Sequence, residues 1–227
     1  MCFNLCNLLI FLLLFTACEK DTRTSTKNST STGSLTSTIG PNEVSLLDSS
    51  PDDDILLDFY RQKPVKYQDR DIVITEFWNF SNDELESAHD YVQWLFPIEK
   101  TGMSPAPVMT KNTAAVMTSD AEIKKNILRS LDIFLKFMGY TRVNNPKCDL
   151  VRNADFEKRA KNWIIDNTHN HLRMTRLLKF LKYINLDSCT ESLFAEFTKL
   201  KADKKYENYI PKNAFKYWQK ARLVKVN

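Results

Sequence analysis

The amino-acid sequence predicts an all-α fold, a single multi-helix domain of roughly seven helices behind an N-terminal anchor segment and a disordered tether. Apolar residues recur at three- and four-residue spacing from about residue 52 onward, which is the period of a helix with one buried face. Glycine is scarce, with 4 residues in 227, where average usage is roughly 7%. Large antiparallel β folds, dinucleotide-binding turns, phosphate-binding loops and nucleophile elbows all depend on glycine. The sequence therefore favours helices and excludes the common nucleotide-dependent enzymes.

Acidic and capping residues mark the start of the first two predicted helices. Asp52–Asp54 precede an apolar run, and carboxylates favour a helix N-terminus. Ser81 offers a cap for a second helix, which continues until Pro97 stops it. The apolar arc of this helix is Leu85, Ala88, Val92, Leu95 and Phe96. His89 falls inside the arc and Trp94 projects from the opposite side, which predicts contacts on two faces.

The next stretch, from Pro97 to Thr118, sustains no helical period. Its three prolines and Gly102 predict a long ordered loop, and loops of this length are often functional. Ser119–Asp120 then begin the clearest helix, and Gly139 lies where a C-terminal cap belongs. The buried stripe of that helix is predicted to be Ile123, Ile127, Leu128, Leu131, Phe134, Leu135 and Met138.

Further helices complete the predicted domain of residues 52–221, and a short tail of residues 222–227 follows it. They are predicted near Asp155–Trp163, from Thr168 or Asn170 to about Tyr183, over Ser188–Leu200, and after Pro211. In the helix that ends near Tyr183 the apolar arc is Met174, Leu177, Leu178, Leu181 and Ile184. Its polar side carries Arg173, Arg176, Lys179 and Lys182, a basic ridge that suits phosphate or carboxylate groups.

The N-terminal residues 1–18 are typical of a signal peptide or a lipoprotein-type anchor. Residues 8–15 form an uninterrupted apolar run, which is too short to span a bilayer but suits a secretory signal. Phe15-Thr-Ala-Cys18 resembles the lipobox of bacterial lipoproteins, which makes Cys18 the candidate lipidation site and the membrane a partner. Ordinary signal cleavage and an uncleaved anchor are the alternatives. Residues 19–51 are rich in Ser and Thr and are predicted to be a disordered linker.

Charge is distributed unevenly along the chain. Residues 51–118 carry a net charge of −6, whereas residues 119–227 carry +11. One interpretation is attraction between these two parts of a single fold, and the other is a basic surface for nucleic acid or another anionic partner. Cys148 and Cys189 are the two cysteines of the domain, and their separation allows a disulfide but gives no zinc motif.

No local pattern nominates a catalytic group. His89 on an apolar arc is typical of a hydrogen-bonded core residue, with a ligand or catalytic role as the alternative. His169 and His171 are two residues apart near a helix start, and such a pair does not share a helix face. The sequence predicts a protein that is not an enzyme and has no metal or cofactor. A hydrolase that uses His89 or His171 is kept as a separate hypothesis.

Two stretches resemble the opioid growth factor receptor conserved domain. The first is Ser81-Asn-Asp-Glu-Leu-Glu-Ser-Ala-His-Asp-Tyr-Val-Gln-Trp-Leu-Phe-Pro97, followed by Ser104-Pro-Ala-Pro107. The second begins Asn167-Thr-His-Asn-His-Leu-Arg-Met-Thr-Arg. The resemblance implies an all-helical domain over residues 52–221 and, in animals, a receptor for a short opioid peptide of the enkephalin type. It implies no catalysis.

The resemblance gives the predicted ligand site its position. The site is expected where the loop of residues 97–118 meets the first stretch, with basic side chains of the second stretch available for a peptide carboxylate. The candidate ligand-binding residues are His89, Tyr91, Gln93, Trp94, His171, Arg173 and Arg176. The predicted protein is thus a membrane-anchored, receptor-like binding module, and nucleic-acid or anionic-surface binding through the basic C-terminal half is the alternative.

Overall fold

Ten helices and two short antiparallel hairpins make up the part of the chain that the computed structural model describes, residues 51–102 and 106–224. The first seven elements are α1 (Pro51–Tyr60), β1 (Val65–Tyr67), β2 (Arg70–Ile72), α2 (Ile74–Trp78), α3 (Asn82–Ser87), α4 (Tyr91–Leu95) and α5 (Lys111–Ser119). The others are α6 (Ala121–Met138), β3 (Tyr140–Arg142), β4 (Leu150–Arg152), α7 (Phe156–Trp163), α8 (Asn170–Tyr183), α9 (Asp187–Ala202) and α10 (Lys212–Arg222).

The mostly helical prediction is confirmed, but the number of helices was too low and the absence of strands was wrong. Each strand has three residues, which is too short for an alternating pattern to be visible in the sequence. In the two hairpins Val65 pairs with Ile72 and Tyr140 with Arg152. The predicted signal segment, Cys18 and the linker lie outside the described residues. None of the described helices is both long and apolar enough to cross a bilayer.

The long helix α6 follows the sequence closely. The Asp120 carboxylate accepts the backbone N–H groups of Glu122 and Ile123, which caps the first turn. Gly139 ends the helix in the left-handed conformation, with φ of 92°. Apart from Leu128, which is partly buried, every residue of the predicted stripe is buried. This helix lies against α1, α5, α7 and β3, and so forms one wall of the core.

The single helix predicted from Ser81 to Phe96 is in fact two helices. Ser81 and Glu84 do form a capping box at the start of α3, but Ala88 has extended backbone and the chain turns before α4 begins. All five residues of α4 are buried. His89 lies in the break and is exposed, so its predicted place on a buried apolar arc was wrong.

The predicted loop of residues 97–118 also contains a helix, α5. Thr110 caps it by accepting the backbone N–H of Thr113. The buried Asp53 carboxylate of α1 accepts the hydroxyl groups of Thr110 and Thr113, which fixes the start of α5 against α1. This contact spans nearly 60 residues and has no local sequence signal.

Helix α8 is the central helix of the C-terminal half. It contacts α7, α9 and α10, and its predicted apolar arc is buried. The polar side of α8 departs from prediction at Arg173, which is only 6% exposed and therefore does not belong to a surface ridge. A disulfide between Cys148 and Cys189 connects the turn after β3 to α9. The pairing that the sequence left open is therefore present.

Candidate functional site

Arg173 holds the break between α3 and α4. Its guanidinium donates to the carbonyl oxygens of Leu85 (2.8 Å), Glu86 (3.3 Å) and Ala88, and to the side-chain oxygen of Asn170 (3.0 Å). These carbonyls belong to the last turn of α3 and the residue after it, where a helix leaves acceptors without intrahelical partners. The predicted ligand contact is thus a long-range C-terminal cap for α3.

Gln93 and Arg176 fix the segment that follows α4. The side-chain oxygen of Gln93 accepts the backbone N–H of Gly102 at 2.8 Å. Arg176 donates to the carbonyl of Phe96 at 3.3 Å and approaches that of Lys100 at 3.5 Å. Burial lowers the pKa of the Arg176 guanidinium to about 10, and nearby Glu99 opposes this shift. Both side chains therefore fix the backbone at the start of the predicted loop through hydrogen bonds.

Tyr91 and Trp94 are core residues of this region. They are 0% and 1% exposed. The Trp94 ring lies 5.1 Å from the ring of Phe59 and 5.3 Å from that of Tyr67, whereas the Arg173 guanidinium lies 5.3 Å from the ring centre of Tyr91. Their aromatic faces are thus occupied by protein groups.

His171 is likewise buried, at 6% exposure. Its Nε2–H donates to the carbonyl of Trp163 at 2.9 Å, and its ring lies 5.5 Å from that of Trp218 with the planes nearly perpendicular. The indole N–H of Trp218 donates to the backbone carbonyl of His171 at 3.0 Å. Burial lowers the pKa of His171 to about 4, so the imidazole is neutral in the folded protein at physiological pH.

Of the predicted site residues, His89 is exposed, and it lies beside Glu86 and His169, which the sequence did not nominate; we term these three residues the histidine-pair surface. The two imidazole rings are 5.2 Å apart, and His169 Nε2 lies 3.2 Å from a Glu86 carboxylate oxygen. The side-chain amide of Asn170 also donates to that carboxylate, at 3.1 Å to its nearer oxygen. In the sequence His169 was compared only with His171, two residues away. Its actual neighbour, His89, is 80 residues away, so no sequence pattern indicated this contact.

Electrostatics at the histidine-pair surface are mixed. Partial burial opposes ionisation of Glu86, but the hydrogen bonds from His169 and Asn170 outweigh it and hold the pKa of the carboxyl below its ordinary value. Desolvation lowers the pKa of His89, with a further contribution from His169 and Arg173. Among residues 51–102 and 106–224, no cluster of His, Cys, Asp or Glu could hold a metal ion. The surface exposes the imidazole of His89 next to the Glu86 carboxylate, which Asn170 and His169 already contact.

A polar pocket of about 370 Å³ adjoins this surface. All of its lining residues are polar or charged: Ser81, Asn82, Asp83, Lys158, Arg159 and Asn162. The side-chain amide of Asn170 donates both to Glu86 and to the backbone carbonyl of Asn162, so one residue connects the histidine-pair surface to the pocket. Sequence analysis nominated none of the lining residues, since they come from two helices separated by about 75 residues.

The chain as a whole can be compared with known proteins. A family model described as the opioid growth factor receptor (OGFr) conserved region matches residues 49–225. The chain belongs to this family. Both stretches that resembled the family in sequence, residues 81–97 and 167–176, contribute to the histidine-pair surface and to its supporting contacts. No solved structure matches the chain.

Curated relatives within the opioid growth factor receptor family are longer proteins. The human opioid growth factor receptor is 32% identical over 117 residues, which are 50% of this chain and 17% of the human protein. The rat receptor is 29% identical over 135 residues, 58% of this chain and 23% of its own length. The mouse opioid growth factor receptor-like protein 1 is 26% identical over 136 residues, 58% of this chain and 29% of its own length. The aligned region thus spans less than a third of each relative.

Proposed function

We propose that this chain is a receptor-like, non-catalytic binding module that recognises a peptide or small ligand and is held at a membrane by its N-terminus. The observation that carries the proposal is family membership: the relatives are named receptors, and the matched region covers the whole described domain. Their printed name gives the first ligand to test, an opioid peptide.

Ligand recognition is assigned to the histidine-pair surface, which contains one residue of the predicted site, His89. Tyr91, Trp94 and His171 are buried, and the guanidinium of Arg173 is directed to backbone carbonyls. His89, by contrast, is exposed beside His169 and Glu86. A cationic group of a ligand would pair with the Glu86 carboxylate, and its apolar or aromatic parts would contact the two imidazole rings.

Calorimetry with an enkephalin-type peptide is expected to show binding to the full chain. His89→Ala and His169→Ala should each weaken the affinity about tenfold, the loss of one charge-assisted or ring contact. Ser87→Ala is the matched control, because Ser87 is an exposed neighbour whose side chain makes one long hydrogen bond to its own helix. Absence of heat at high micromolar peptide would contradict the ligand assignment.

Membrane attachment is supported by the N-terminal sequence and by the disulfide. The apolar run of residues 8–15 and Cys18 resemble an export and lipidation signal, and a disulfide such as Cys148–Cys189 is typical of oxidising compartments. Mass spectrometry of the mature protein is expected to find lipid-modified Cys18 at its N-terminus, and Cys18→Ser should abolish the modification. Cys6→Ser is the matched control that keeps it. An intact Met1, or an unmodified Cys18, would refute lipidation.

A second candidate function is binding to nucleic acid or another polyanion. It is favoured by the distribution of ion pairs between the acidic segment and the basic C-terminal half. Of the nine ion pairs between Lys or Arg and Asp or Glu among the described residues, eight join partners within the same charge segment, 51–118 or 119–227. Direct ion pairs between the acidic segment and the basic C-terminal half are therefore few, which supports a basic surface on that half. Binding through this charge should weaken steeply with salt in a gel-shift assay, and a blank gel at low ionic strength would remove the hypothesis.

A further inference from the structure

Arg159 on α7 has a largely buried side chain whose guanidinium has no protein partner and keeps contact with solvent. The residue is only 8% exposed, and within residues 51–102 and 106–224 its guanidinium makes no hydrogen bond, ion pair or ring contact. Its nitrogen atoms are not among the fully buried polar atoms that lack a partner in those residues, so they reach the solvent. Arg173, whose residue is similarly buried, donates instead to three carbonyls and a side-chain oxygen. Arg159 therefore lacks the partners that a purely structural arginine of this domain has.

The polar pocket is where the Arg159 donors can be satisfied. Arg159 lines it together with the exposed Lys158, and the side-chain amides of Asn82 and Asn162 face it without hydrogen bonds to other described residues. A volume of about 370 Å³ lies at the small end of the range for small-molecule sites, roughly 300–1,000 Å³. The size and the polar lining fit a small, highly polar ligand.

The charged side chains that line the pocket indicate the chemical class of its ligand. A guanidinium and an ammonium suit an anion, and the planar fork of Arg159 matches a carboxylate or a phosphate. Asp83 brings a carboxylate to the same pocket, which repels a dianion but attracts an ammonium group. The amides of Asn82 and Asn162 accept and donate hydrogen bonds at either kind of group. A molecule with both a carboxylate and an ammonium satisfies all of these side chains.

We infer that this pocket binds a free α-amino acid, with its carboxylate on Arg159 and Lys158 and its ammonium on Asp83. The inference rests on the proposed ligand-binding role of the domain and gives it a ligand class and a place. It is separate from peptide recognition at the histidine-pair surface, since no residue of that surface lines the pocket.

Titration of the full chain with the twenty free amino acids, followed by thermal shift and NMR, tests the inference. At least one amino acid should raise the unfolding temperature in a concentration-dependent way, because a ligand that binds the folded state stabilises it. Its deaminated acid and its decarboxylated amine should each bind at least tenfold more weakly. Inorganic phosphate binding more tightly than any amino acid would overturn the ligand class assigned here, and so would equal binding of the amino acid and its two analogues.

Variants of α7 and α3 locate the site. Arg159→Met should abolish amino-acid binding without lowering the unfolding temperature of the free protein, because it removes a guanidinium that has no protein partner and keeps the apolar stem. Lys161→Met is the matched control, since it removes the same charge from an exposed position of α7 outside the pocket. Asp83→Asn should erase the preference for the amino acid over its deaminated analogue.

The outcomes separate this inference from the proposed function. Unchanged amino-acid binding in Arg159→Met, or no binding of any amino acid to a chain that still binds the peptide, overturns the pocket assignment and leaves the receptor role standing. A chain that binds neither peptide nor amino acid overturns both. Arg159→Met that loses the amino acid but keeps the peptide supports the two sites as described.

Discussion

Replacing Arg173 with methionine is expected to lower the free energy of unfolding by about 3–5 kcal/mol, the range for breaking a buried charged network. Methionine keeps much of the apolar stem but removes every donor, so the carbonyls of Leu85, Glu86 and Ala88 lose partners that the fold does not replace. Urea denaturation at neutral pH measures the loss. The same variant should increase hydrogen exchange at the start of α4, because the break before it is no longer held.

Two variants serve as controls for this prediction. Arg176→Met removes a more exposed guanidinium with longer hydrogen bonds, 3.3 and 3.5 Å, and should cost about 1 kcal/mol. Arg173→Lys keeps the positive charge but loses the forked geometry of the guanidinium. Its loss in free energy of unfolding should lie between those of Arg173→Met and Arg176→Met. If Arg173→Met were no more destabilising than Arg176→Met, the assignment of Arg173 as the cap of α3 would be incorrect.

Acidification should destabilise the protein between pH 6.5 and pH 4 through His171. Burial lowers the pKa of this imidazole from 6.5 to about 4, and the hydrogen bond to the Trp163 carbonyl opposes the shift only in part. The unfolded chain therefore binds the proton more readily than the folded chain. The stability contributed by neutral His171 is complete above pH 6.5 and is lost as the pH falls toward 4, by roughly 3 kcal/mol in total.

The pH effect is isolated by comparing variants across urea denaturations at pH 7, 5.5 and 4. His171→Gln retains a side-chain donor for the Trp163 carbonyl but cannot titrate, so its stability should change much less over this range. His89→Gln is the comparison variant: the pKa of His89 is also lowered, but this residue is exposed and only partly desolvated, so its removal should take away a smaller part of the pH dependence. Identical profiles for the chain and His171→Gln would show that His171 is not the group responsible.

Helix α6 shows what the sequence could predict. Its cap, its apolar stripe and its terminal glycine all act within a few residues of one another, so each was visible as a local pattern. The start of α3 at Ser81 was predictable for the same reason. Local hydrogen bonds and helical periodicity thus determine where these elements begin and end.

Apart from the strands, which are too short to show a pattern, the main errors involve partners that are distant in the sequence. The break after α3 depends on Arg173, and α5 depends on Asp53, so neither could be inferred from its own segment. Arg173 was predicted on the polar side of its helix, and Arg159 was not singled out by any sequence pattern. Only the packing of α7 and α8 shows that they are buried, one with partners and one without.

At the candidate site, the sequence nominated two segments that the fold brings together, but it did not show what their side chains contact. The family resemblance located the region around His89, and the ligand-binding role of the nominated residues stays a prediction. Trp94 and Tyr91 were named as candidates because they lie in the first family-like stretch beside the predicted loop, yet their ring faces contact protein. His169 and the pocket residues were missed because proximity in the fold has no counterpart in sequence spacing.

The cap that Arg173 supplies to α3 has a consequence for the order in which the chain folds. The guanidinium and the carbonyls it holds are 85 to 88 residues apart, so the contact closes a long loop. During synthesis the family's first signature stretch leaves the ribosome well before Arg173 does. We expect its native turn to form late, together with the docking of α8, and contacts of such long range slow folding. A nascent chain that ends before residue 173 should therefore hold residues 85–95 in a non-native, protease-sensitive conformation.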